Sequence, residues 1–87
     1  MSNHLSAYPN PFHDSLSFEV EVDNNISTIV RIADESGKIV KLLSWNLKKG
    51  MNKTTLNDLE NMATGDFYLE IKDMKGNTMF NTKLTKA

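Results

Sequence analysis

Apolar and polar positions alternate most cleanly in Gly65-Asp66-Phe67-Tyr68-Leu69-Glu70-Ile71-Lys72. Phe67, Leu69 and Ile71 share one parity there, and Asp66, Glu70 and Lys72 share the other. A period of two is that of a strand with one face buried and one face wet. Tyr68 falls on the wet parity, where its ring can lie along a neighbour. Gly65 turns the chain into this strand, and Lys75-Gly76-Asn77 turns it out again. A second alternating run follows, with Thr78, Phe80, Thr82 and Leu84 on one parity and Met79, Asn81 and Lys83 on the other. The two runs predict a hairpin that reaches the last residues.

The same pattern recurs upstream. Leu16 to Val22 alternates without fault, and Asp23-Asn24-Asn25 then breaks the run with turn-forming side chains. These three lack the further oxygen ligands and the glycine of an EF-hand loop, so a plain turn is the better reading. Ile26 to Ala33 predicts another strand, with Ile26, Val30 and Ile32 on one parity and Ile29 on the other. Asp34-Glu35-Ser36-Gly37 suits a type I turn closed by a glycine with positive φ. From Lys38 to Trp45 the parity is muddled, which predicts a bulge or a strand covered on both faces. Trp45 is expected as a core or half-buried anchor. Lys48-Lys49-Gly50 turns into a strand from Met51 to Leu56, and the spacing by three of Leu56, Leu59 and Met62 predicts a short 3₁₀ turn before Gly65.

No long helical pattern, internal repeat or low-complexity tract is apparent. Six or seven short strands with turn signals about every ten residues predict an all-β sandwich. Its expected core is Phe18, Val20, Val30, Ile32, Phe67, Leu69, Ile71 and Phe80. Near the start, Pro9 and Pro11 hold Tyr8 and Asn10 extended and remove two amides. Tyr8-Pro9-Asn10-Pro11 is therefore a stiff edge or lead-in segment, or else a plain rigid loop.

Eighty-seven residues suit a single domain, residues 1–87, with a two-layer core as its ceiling. The 39% hydrophobic and 24% charged content are ordinary for a soluble domain. The net charge is −1 with Lys and Arg spread along the chain, and no basic patch of the kind nucleic acid demands stands out. Without cysteine, disulfides, thiolate catalysis and cysteine-ligated metal are excluded. No apolar run approaches the roughly 18–20 residues of a membrane helix, so stable membrane insertion is not expected. No signal-peptide pattern follows Met1, so the chain is expected either to stay inside or to be a piece of a longer protein. Whether Met1 is native, or added with Ser2 and Asn3, is left open.

The sequence contains no credible active site. His4 and His13 have no Cys or acidic cluster at metal spacing. There is no nucleophile elbow and no phosphate-cradling loop. Glu19 with Glu21, and Asp34 with Glu35, sit on wet strand faces or in turns, where solubility and turn chemistry explain them. Asn25-Ile26-Ser27 and Asn52-Lys53-Thr54 match a glycosylation sequon too common to carry weight. No catalysis and no cofactor are expected.

Four landmarks follow one another in a meaningful order: Tyr8-Pro9-Asn10-Pro11, Asp34-x-Ser36-Gly37-Lys38-Ile39-Val40, Gly65-x-Phe67-Tyr68-Leu69-x-Ile71, and Lys83-Leu84-Thr85-Lys86. In that order, from about Leu5 to Ala87, the chain resembles the C-terminal sorting domain (type A) of the type IX secretion system. It departs in having Ala63 where the family often has proline, and Phe67 where it usually has tyrosine. The resemblance implies an Ig-like antiparallel β-sandwich of about seven strands at the tail of a larger secreted cargo. It implies passage through the periplasm, recognition by the type IX machinery, and display at the cell surface or release, commonly with removal by a surface sortase. The recognition residues it implies are Tyr8, Pro9, Asn10, Pro11, Gly37, Gly65, Phe67, Ile71, Lys83, Leu84 and Lys86. A receptor could read the terminal strand through backbone pairing, with the lysines steering. Edge-strand protection is the competing reading of those lysines. A second class of function is an Ig-like adhesion module that binds carbohydrate or protein through exposed Tyr8, Phe12 or Tyr68.

Overall fold

Alternation of the predicted kind builds seven strands in the computed structural model, which describes residues 4–87; Met1-Ser2-Asn3 lie outside the described residues. They are β1 (His4–Tyr8), β2 (Leu16–Val22), β3 (Ile26–Asp34), β4 (Ile39–Leu47), β5 (Gly50–Leu56), β6 (Gly65–Asp73) and β7 (Thr78–Lys86). They form two antiparallel sheets, one ordered β1-β2-β5 and the other β4-β3-β6-β7. There is no helix among the described residues. The fold is the expected all-β sandwich, with its fourth strand paired to β3 in the larger sheet.

Between the sheets lie the inward parities of β2, β3 and β6: Phe18, Val20, Val30, Ile32, Phe67, Leu69 and Ile71 are all buried. Phe12, Leu16, Val22, Leu47, Leu59 and Leu84 complete the buried core. Phe80 departs from expectation and is only half-buried against the cluster's margin. Three strands cannot cover four, so the inner faces of both edge strands of the larger sheet are partly open. Trp45, on the other such edge, is likewise half-buried, and its ring meets Phe18 edge-on at 5.4 Å. Where a 3₁₀ turn is expected, a single turn forms, closed by the Met62 N–H on the Leu59 carbonyl at 3.0 Å.

The muddled parity of β4 resolves into a bulge. Lys41 pairs with Ile32 and Ile39 with Ala33, so Val40 is the extra residue. The β6–β7 hairpin repeats this construction. Phe80 pairs with Ile71 and Thr78 with Lys72, which leaves Met79 extra. In the first turn the Asp34 carboxylate accepts the N–H groups of Ser36 and Lys38 at 2.9 and 3.0 Å. In the second, Asp73 accepts those of Lys75 and Asn77, both at 2.9 Å. Gly37 and Gly76 close the turns at φ 91° and 89°, a left-handed backbone that glycine tolerates. Asp34 thus corresponds to Asp73, Gly37 to Gly76 and Val40 to Met79, a constant offset of 39 (73 minus 34). The same offset relates Arg31 to Glu70, which pair directly with one another. A local two-fold axis therefore passes between Arg31 and Glu70, and an internal repeat exists where the sequence shows none. Their side chains form an ion pair on that axis. The Glu70 carboxyl is held below its usual range by the Thr78 hydroxyl and by Arg31.

Candidate recognition surface

Pairing across the larger sheet brings the four landmarks to one end of the sandwich. Asp34, at the Gly37 turn, pairs with Phe67, and Phe67 pairs with Leu84. Gly65 pairs with Lys86, and Lys86 forms a parallel bridge to Phe12. A Cβ built on Gly65 would come 3.8 Å from the Glu35 carboxylate, so the turn and the start of β6 also meet.

The lead-in segment closes this row. Pro9 and Pro11 have no N–H to offer β7, and the Asn10 side chain supplies the missing pairing. Its amide N–H donates to the Lys83 carbonyl at 3.2 Å, while its oxygen accepts the Thr85 N–H at 2.9 Å. The Phe12 N–H then donates to the Thr85 carbonyl, and the Ala87 N–H to the Phe12 carbonyl, both at 2.8 Å. Asn10 is thus a side-chain substitute for a strand, and Phe12, fully buried, anchors it. This joins the first landmark to the last. It also occupies part of the backbone edge that the sequence reading leaves free for a receptor.

The terminal lysines part company. Lys83 is 59% exposed and lies 3.4 Å from the Asp66 carboxylate, an open surface pair that contributes little stability. Asp66 also accepts the Thr85 hydroxyl at 3.1 Å. Lys86 is only 6% exposed, against the expectation of an exposed strand lysine. It has the parity of Leu84 and occupies the place that Leu47 holds in the other hairpin, so its stem packs inward. Its ammonium donates to the main-chain oxygen of Ala87 at 3.1 Å.

Of the remaining residues named from the sequence, Tyr8, Pro9, Asn10, Pro11 and Gly37 are exposed, and Gly65 is half-buried. Phe67, Leu84 and Ile71 are buried. Ile71 is also out of the row, pairing with Val30 and Phe80 further along the sheet. The Tyr8 ring turns towards the smaller sheet, where its hydroxyl donates to Glu19 and Lys53 lies 5.8 Å above it. The bond to Glu19 pushes the Tyr8 hydroxyl above its ordinary range. Tyr68 is exposed on the larger sheet, beside Ala33 and Lys83. Of the three aromatics expected to be exposed, Tyr8 and Tyr68 are, on different sheets, and Phe12 is buried. Asp66 is a part of the row that the sequence left unmarked, and Phe12, expected as an exposed aromatic, is instead its buried anchor. An aromatic directly after the double proline was the available signal for Phe12.

In fold, the chain is a two-sheet sandwich domain whose marked residues gather at one end. Over residues 6–86 it matches the family model described as the secretion system C-terminal sorting domain. The chain belongs to that family, the sorting domains of the type IX secretion system, and is cargo of that system, bound for the cell surface or the medium. No curated protein matches it. Among solved structures, the crystal structure of Bifidobacterium adolescentis GH3 β-glucosidase is similar over 97% of this chain, at 10% identity and a TM-score of 0.45. The chain spans 17% of that structure's length, and a likeness so loose bears on neither fold nor activity.

Proposed function

We propose that this domain is a non-catalytic address label at the tail of a larger secreted protein. The cargo passes through the periplasm, the type IX machinery reads the landmark end of the sandwich, and a surface sortase then removes the domain. The observation that carries this reading is the convergence of four separated landmarks on one row from the Gly37 turn through Phe67 and Leu84 to Asn10. Within the row the accessible groups are the ones offered to a receptor: Tyr8, Pro9, Asn10, Pro11, Gly37 and Lys83. Gly65, Phe67, Leu84 and Lys86 hold that end in shape, and Ile71 secures β6 in the core. No cofactor has a part in this function.

The domain fused behind a signal peptide and a fluorescent reporter should carry the reporter to the surface or medium of a type IX-competent host. A fusion that stays in the periplasm, with the domain folded, would overturn the reading. Mass spectrometry of the exported reporter tests the sortase step: it should lack the domain.

A further inference from the structure

The sandwich is sealed along one side and open along the other. On the sealed side the chain leaves β1, crosses to β7 and covers the last residues of that edge. On the other side β4 and β5 are the outer strands of their sheets, joined by the short Lys48-Lys49 turn. That turn is fixed from both sides: the Asn52 side chain accepts the Lys48 N–H at 2.9 Å, and Asn25 accepts that of Lys49 at 2.8 Å.

Charge is unevenly placed along the chain. Lys38, Lys41, Lys48, Lys49 and Lys53 fall between residues 38 and 53 with no Asp or Glu among them, so half of the ten basic residues lie here and all eleven acids lie elsewhere. Lys53 turns to the Tyr8 ring. None of the five belongs to an ion pair among the described residues. Apolar side chains stand beside them: Leu42 is 62% exposed and Met51 59%.

The backbone of β4 completes the surface. Thr85 directs its N–H and C=O outward, to Asn10 and Phe12. Alternation along a strand gives Lys83 and Asn81 the same outward direction. By the local two-fold their equivalents on β4 are Asn46, Ser44 and Leu42, where none of the described residues forms a strap across the edge. Lysines and bulges commonly protect an edge, and Lys41 beside the Val40 bulge does so for the first residues of β4. Lys48 and Lys49 sit beyond the strand, so they leave Leu42 to Leu47 uncovered.

We infer that Leu42 to Leu47 accepts an extended acidic segment of a partner protein as an added strand. Its main chain would pair with Leu42, Ser44 and Asn46. Lys41, Lys48 and Lys49 would read its carboxylates, and Leu42 would cover its apolar atoms. This site lies apart from the landmark row and does not rest on the address-label reading. The probe is a short capped peptide alternating glutamate and threonine, titrated into the isotope-labelled chain and followed by amide NMR. The amides of Leu42, Ser44 and Asn46 should shift and gain exchange protection, and the lysine-threonine counterpart should leave them unmoved. Lys48→Glu with Lys49→Glu should weaken binding about tenfold or more. Ser44→Pro, which removes an N–H aimed at the open edge, should abolish it. Shifts confined to β7, binding that survives both variants, or no binding would each overturn the inference. So would self-association through β4, or anionic vesicles binding where the peptide does not.

Discussion

The β3–β4 and β6–β7 hairpins have the same turn, the same bulge and the same register, yet they end differently. Both begin with an aspartate that accepts main-chain N–H groups two and four residues on. At the far ends of the outer strands, β4 carries Trp45 and Leu47 and no described residue crosses it, whereas β7 carries Leu84 and Lys86 and is covered by Asn10 to Phe12. Local chemistry sets the hairpin, and a distant segment decides the fate of its edge. On the proposed address reading the difference is also one of function, because the covered end is where the landmarks meet.

The largest test lies where the hairpins differ most inside. Phe67 and its equivalent Thr28 are both buried, the first by packing and the second through a 2.7 Å bond from its hydroxyl to the Trp45 carbonyl. Phe67→Ala should cost about 3–5 kcal/mol in chemical denaturation. Thr28→Ala should cost about 1–2 kcal/mol. A cost below about 1 kcal/mol for Phe67→Ala would mean that β6 turns the other face inward.

Where the hairpins agree, substitutions should agree too. Gly37→Ala and Gly76→Ala each force alanine to a positive φ and should each cost about 1–2 kcal/mol. Unequal losses would break the repeat. At the edge, Asn10→Ala should cost about 1 kcal/mol, since the groups it frees can reach water. Hydrogen exchange should then speed up at the Thr85 amide and leave Asn46, its equivalent on the uncovered strand, as fast as before. No change at Thr85 would mean that Asn10 does not hold the edge.

Acid gives the smallest effect. The Ser36 hydroxyl leads in holding the Asp34 carboxyl below its usual range, and the Asn77 main-chain N–H leads at Asp73. A depressed folded pKa gives stability that is present above the unfolded value and is lost as pH falls through the folded one. The melting temperature should therefore fall as pH drops below the ordinary carboxylate range, and the slope should be shallower in Asp34→Ala and in Asp73→Ala. Slopes unchanged from the parent would show that the turns do not carry the effect.

Much of this was legible from alternation. The parity of β2 and β6 named the inward residues directly, and the confusion of Lys38 to Trp45 pointed to a bulge or a strand covered on both faces, of which the bulge, at Val40, is what forms. What escaped depends on contacts that no local pattern encodes. Phe80 alternates correctly but lies where the smaller sheet does not reach. Lys86 shares the parity of Leu84, yet its charge argued for solvent, and only its Leu47 equivalent reveals the inward position. The bond between Asn10 and β7 joins opposite ends of the chain, so the YPNP segment and the basic last strand read as separate signals. The repeat is hidden because, across the two hairpins, only Ile32 with Ile71, Asp34 with Asp73 and Gly37 with Gly76 keep their identity.

If the landmark end is read as an address, Lys83 is the residue whose loss should show it. It is exposed, its pair with Asp66 is an open one, and its removal should change stability by less than about 0.5 kcal/mol. In the reporter fusion, Lys83→Ala should lower the surface-to-periplasm ratio of fluorescence while the melting temperature of the isolated domain stays where it was. Export at the parental level with that same melting temperature would contradict the claim and leave Lys83 as edge protection alone.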